Sequence, residues 1–176
     1  ETGGENGGGE GGTLPATFSA ENALAYLKSA QGADGSFGSS DLYTDWAGIA
    51  LGAGDVTDSS RDKILSYLNA HNTLSSLVTD NERRAIALLS LGQNPYSFGG
   101  VNYVGAITSS FDGAQFGNID LINDDIFALI PLSSSGYNAN EEMIIKDIDF
   151  IITKQQSNGS WENSIDITAA AIQALK

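Results

Sequence analysis

Cysteine is absent from this 176-residue chain, and proline (3), tryptophan (2), methionine (1) and histidine (1) are scarce. The missing cysteine excludes disulfides, thiol catalysis, internal thioesters and cysteine-based zinc sites together. Positive charge is also thin: Lys and Arg total 8 against 22 Asp and Glu, a formal net charge of −14. Such a field repels a phosphate backbone, so nucleic acid is not an expected partner, and anionic membrane surfaces are disfavoured. No apolar run reaches the ~18 residues needed to span a bilayer, so no transmembrane segment is expected. Strand patterning is nearly missing; residues 97–104 are the one stretch that could hide a strand.

What is present divides the chain in two. Residues 1–13 are dominated by Gly, Glu, Asn and Thr, with almost nothing to bury, and read as a flexible tether to an anchor or a further domain. Residues 14–176 form one domain, and the 41% hydrophobic content of the whole chain is ordinary for a globular protein. An acidic, cysteine-free domain behind a Gly-rich leader suits a bacterial cell-surface or secreted protein.

The domain reads as helices joined by Gly, Ser, Asp and Asn turns. Helices are predicted at 19–30, with Ser19 as N-cap, and at 44–53, 59–70 and from 79 to about 91. The last opens on Thr79-x-x-Glu82, a capping box. A short helix follows at 100–109, then 124–132, with Pro131 expected to kink or end it. The series closes with 140–155 and 167–175. The odd helices are mostly amphipathic; in the seventh, Glu141, Glu142, Lys146, Asp147 and Asp149 are expected outside. The even helices are apolar nearly all round, as in Trp46-Ala47-Gly48-Ile49-Ala50-Leu51 and Ile126-Phe127-Ala128-Leu129-Ile130. Amphipathic helices cover a core and all-apolar helices sit within one. The expectation is all-α: about four hairpins of roughly 40 residues, each pairing an outer helix with an inner one in a curved double layer.

One phrase occurs twice. Tyr26, Leu27, Gln31, Gly35 and Phe37 return as Phe150, Ile151, Gln155, Gly159 and Trp161, 124 positions on (159 minus 35), with no gap. A degenerate third copy sits at Asp112-Gly113, with Ser109 in place of the Gln. The Gln is expected to bond the turn or the start of the next helix, the Gly to allow a positive φ, and the aromatic to pack back between hairpins. This spacing resembles the QW repeat of the squalene-hopene cyclase and protein prenyltransferase superfamily, nearest its uncharacterised bacterial branch and distantly transcobalamin-like. The resemblance implies an α/α toroid in which these residues are structural. About four hairpins are fewer than the family usually has, and the sequence ends within an apolar helix at Ala174-Leu175-Lys176. It therefore implies an incomplete ring, closed by further C-terminal hairpins, a partner or self-association.

The resemblance frames the candidate chemistry. Class II terpene cyclases use Asp-x-Asp-Asp, whose middle Asp is a general acid. Here the matching stretch is Ile122-Asn123-Asp124-Asp125, with Asp124 as the acid, Asp125 its neighbour and the first Asp replaced by Ile122. An acidic first turn favoured by the helix dipole is the plainer reading, and Asp45 and Asp166 sit near the same level. The prenyltransferase zinc set needs a cysteine, and His71 reads as a helix C-terminal cation, so no metal and no cofactor are expected. Asp34, Ser36 and Asp41 read as a turn rather than a calcium loop. Asn158-Gly159-Ser160 is a glycosylation sequon, relevant only in a eukaryotic secretory route. Tyr43, Asp45, Trp46, Asp124 and Phe127 are the candidate ligand-binding residues, with Tyr103 also beside the inner layer.

The expected function is a non-catalytic module that binds a small hydrophobic molecule, a cobalamin-like ligand or a protein partner. The alternatives are a class II terpene cyclase-like enzyme using Asp124, and an architectural spacer on a cell surface.

Overall fold

The structure is a computed structural model describing residues 18–176. The tether expected at 1–13 lies outside the described residues. The described chain is all-α, with eight helices: α1 (Ala20–Ala30), α2 (Asp41–Ala53), α3 (Ser59–Ala70), α4 (Val78–Ser90), α5 (Tyr103–Ser109), α6 (Ile122–Ser134), α7 (Glu142–Thr153) and α8 (Ile165–Leu175). Among the described residues no strand forms, only four isolated bridges.

Local chemistry sets the helix starts. Ser19, Ser40, Asp58, Asn102 and Ser164 each accept a first-turn N–H with the side chain. Capping by Ser40 and Ser164 starts α2 and α8 earlier than the apolar periodicity alone suggests. The capping box at α4 does not form. Its N-cap is Leu77, and Glu82 lies in the second turn, fully buried. Pro131 neither ends nor closes α6, which continues to Ser134. Asp147, expected outside, is fully buried.

The even helices neighbour one another in the order α2, α4, α6, α8, and the odd helices flank this row. One pairing differs from expectation. Apart from α1, each covering helix leans chiefly on the central helix that precedes it: α3 on α2, α5 on α4, α7 on α6. The packing unit is therefore a central helix plus the covering helix after it. Among the described residues, α1 and α8 lie at opposite ends of the row. Their burial agrees: α1 has no fully buried residue, and α8 has only Ala171. The core lies along the row, with Leu51, Ile64, Leu68, Leu88, Val104, Ile107, Phe116, Ile126, Leu132 and Ile151 fully buried.

Candidate functional site

The repeated phrase builds turns. Gln31 caps α1, and its amide donates to Gly35 O (3.2 Å) and to Ser60 O at the start of α3 (2.9 Å). Gln155 makes the first of these bonds, to Gly159 O at 2.9 Å. Gly35 and Gly159 have φ near +90° (90° and 88°). Phe37 and Trp161 are buried, and the Trp161 indole N–H donates to Ile151 O at 2.7 Å. After each aromatic come two left-handed residues, Gly38-Ser39 and Glu162-Asn163, closing the bridges Phe37–Ser40 and Trp161–Ser164. The same turn recurs at Phe98-Gly99-Gly100-Val101, so the suspected strand at 97–104 is a bridge-closing turn that runs into the first residues of α5.

A second repeated device lies at the start of every central helix. The fourth residue of each (Thr44, Asn81, Asp125, Thr168) accepts a backbone N–H from the preceding turn. The donors are Phe37, Ser75, Phe116 and Trp161, at 2.9, 3.0, 2.8 and 3.0 Å. Residue identity varies, and only an acceptor of the right length is needed. That variation is why no sequence motif marks the position.

The candidate residues separate in space. Asp45 is buried between α2 and α4. Its Oδ1 accepts from Arg84 Nε at 2.6 Å and its Oδ2 from Arg83 Nε at 3.3 Å. Burial raises the Asp45 pKa, with the two arginines opposing the rise. Arg83 also binds Asp80, and Arg84 also reaches His71 O. Together with Ser75 and Tyr103 these groups line a polar cleft of about 250 Å³. Its charged groups pair with one another. Tyr103 opens α5 and donates its hydroxyl to Asn72 Oδ1 at 2.8 Å.

Tyr43 and Trp46 do not join Asp45; they lie on the open side of α2, 60% and 49% exposed. Phe127 is half-buried on α6. Asp124 and Asp125 hold the turn before α6: Asp124 Oδ2 accepts from Asn118 N (3.0 Å) and Asp125 Oδ1 from Phe116 N (2.8 Å). A Cβ at Gly117 would stand 2.3 Å from Asp124 Oδ2, so this carboxylate presses against backbone. Asp34 Oδ1 likewise accepts from Ser36 N and Oγ within its own turn. His71 caps α3, with Nδ1 2.9 Å from Tyr67 O and its ring stacked on Tyr67.

Sequence reasoning missed the two other members of a buried carboxylate group. Glu82 of α4 and Asp147 of α7 are fully buried, and their charges act on those of α6. Both oxygens of Glu82, both of Asp147 and Oδ2 of Asp125 lack any hydrogen-bond partner. Burial, then the charges of Asp124, Asp125 and Asp147, push Glu82 well above the carboxylate range. Burial, then the adjoining Asp125 carboxyl, does the same to Asp147. Burial also raises Asp124 and Asp125. A signal for Asp147 existed: with Ile144 and Ile151 it follows an i, i+3, i+7 spacing, which places it on the buried stripe of α7.

Fold and site together define an all-α, repeat-like protein in which the prominent polar residues are used internally. Compared with protein-family models, curated proteins and solved structures, the chain has no match. Among the described residues, no helix is long and apolar enough to cross a membrane.

Proposed function

We propose that the chain is a non-catalytic helical-repeat module whose two open edges bind protein, the occupant being a second copy joined head to tail. The observation that carries this reading is the exposure of α8. The first, fifth and eighth residues of each central helix form the face toward the next one. On α2, Asp45 meets Arg84, and Leu91 of the next unit packs over Gly48. On α4, Glu82 faces the α6 carboxylates. On α6, Ile122, Ile126 and Leu129 are buried, Leu129 beside Ala174 and Leu175. On α8 the same positions are Ile165, Ala169 and Ile172. All are exposed, Ile165 by 90% and Ile172 by 58%.

The opposite edge is equally open. Trp46, the sixth residue of α2, matches Arg83 of α4, which meets the preceding central helix. The chemistry of the edges supplies the choice of occupant: one is aliphatic at Ile165 and Ile172 and the other aromatic at Tyr43 and Trp46, so the edges of two copies suit each other. Contact between a leading and a trailing edge is heterologous, which generates rings or open chains. Row order and the doubled turn phrase support an α/α toroid arc, with a bacterial surface or secreted setting resting on the acidic, cysteine-free composition.

A small hydrophobic ligand has weaker support. The cleft by Asp45 is polar. Of the apolar hollows, the one beside Leu129, Ile144 and Leu175, about 180 Å³, is below the ~300 Å³ at which ligand pockets usually begin, and the one beside Ile165, Ala169 and Ile172, about 370 Å³, is an open groove on the face of α8 proposed to dock. Asp124 as a cyclase acid has less, since its carboxylate is set against Gly117 and Asn118.

Sedimentation velocity over a range of concentrations tests the proposal, at about 0.15 M salt so that the net charge is screened. Wild-type protein is expected to sediment faster as concentration rises, and Ile165→Asp and Trp46→Asp each to abolish the increase. A wild-type chain that stays monomeric at all concentrations overturns the reading.

A further inference from the structure

The carboxylate group between α4, α6 and α7 is not used by edge binding. It comprises Glu82 from α4, Asp124 and Asp125 from α6, and Asp147 from α7. No cation faces it. Arg83 and Arg84 of α4 point to Asp45 on the other side, and Tyr103 of α5 belongs to that same centre. Lys146 of α7 pairs with Glu142 at the surface, and Asp166 of α8 is exposed. Only two backbone N–H groups, Phe116 and Asn118, donate into the group. Five fully buried oxygens are left without a donor, and an ionised carboxylate in that state is far too costly to keep. Among the described residues, no three His, Asp or Glu side chains are spaced to hold a metal ion, so neutralisation falls to protons.

We propose that Glu82, Asp125 and Asp147 form a proton-sharing cluster that makes the docking of α7 against α6 and α4 depend on protonation. A hydroxyl on Asp147 donates to Asp125 and gives its free oxygen a partner, and a proton on Glu82 removes a further like charge. When these protons leave, three like charges remain in a dry seam and push α7 off the row. The sign follows from linkage. These groups bind protons more tightly folded than unfolded, so their contribution is complete below the unfolded pKa near about 4 and is lost progressively as pH rises through the folded values. Burial raises Asp45 as well, so the share of the slope that belongs to the cluster is the part lost in the Glu82 and Asp147 variants.

Urea unfolding of the full chain at pH 5, 7 and 9 tests this, with amide exchange and infrared spectroscopy on the same samples. The wild-type midpoint is expected to fall steadily from pH 5 to 9, with exchange in α7 rising beyond the intrinsic base-catalysed rate. Asp147→Asn and Glu82→Gln are expected to flatten the slope and to exceed wild type at pH 9. A protonated carboxyl band at pH 7 is expected in wild type, which keeps the test open if the variants do not fold. A flat wild-type profile, a slope unchanged in both variants, no protonated band, or a midpoint raised by calcium and lowered by a chelator each overturns the proposal.

Discussion

Identical residues in the two good copies of the turn phrase do unequal work, because their neighbours differ. At Gly35 a Cβ would stand 2.1 Å from Lys63 O of α3, on top of a φ of +90°. At Gly159 nothing lies within 4 Å, and only the positive φ opposes a side chain. Gly35→Ala is therefore expected to cost several-fold more stability than Gly159→Ala, whose penalty should stay near the ~1–2 kcal/mol of a left-handed alanine. The glutamines should rank alike. Gln31→Ala leaves Gly35 O and Ser60 O without their donor and should cost about 1–3 kcal/mol, whereas Gln155→Ala, exposed and with one bond, should cost under about 1 kcal/mol. Urea midpoints at constant slope measure all four. The turn chemistry was legible because Gln, Gly and aromatic are tied to fixed backbone geometry. Glu82 and Asp147 were not, because a charged letter reads as surface unless its register is counted. Asp147 stands on the stripe of Ile144 and Ile151, and Glu82 stands at the same helix position as Asp45.

At the scale of elements, helix number and order were legible from periodicity, and the split into a central row and covering helices holds. Their pairing was not, because adjacency in sequence suggests a hairpin while packing is decided in space. Each covering helix after α1 settles on the preceding central helix, and α3 reaches the start of its unit through Ser60 and Gln31. This distribution ranks stability along the chain. Helix α4 has neighbours on both sides and is buried nearly all round, while α1 and α8 each have one flank open. Amide exchange should therefore be fastest in α1 and α8 and slowest in α4, since protection follows buried contacts. Uniform protection across these eight helices would contradict this ranking by burial.

For the whole molecule, the two free edges are the feature with functional reach. One carries Tyr43 and Trp46; the other carries Ile165 and Ile172. Ala169 and Ile172 repeat positions that are buried on the three other central helices, which marks an interface rather than ordinary surface. The sequence shows a last helix without a polar face but cannot show which of its faces is uncovered. That depends on the neighbour relation among α2, α4, α6 and α8. The absence of cysteine makes the central claim directly measurable by disulfide trapping. Two single variants, Trp46→Cys and Ile172→Cys, are mixed and oxidised mildly at about 0.15 M salt. Head-to-tail docking predicts a mixed disulfide dimer that exceeds the homodimers formed by either variant alone. Homodimers only, or no crosslink at concentrations where the edges should meet, would contradict the account.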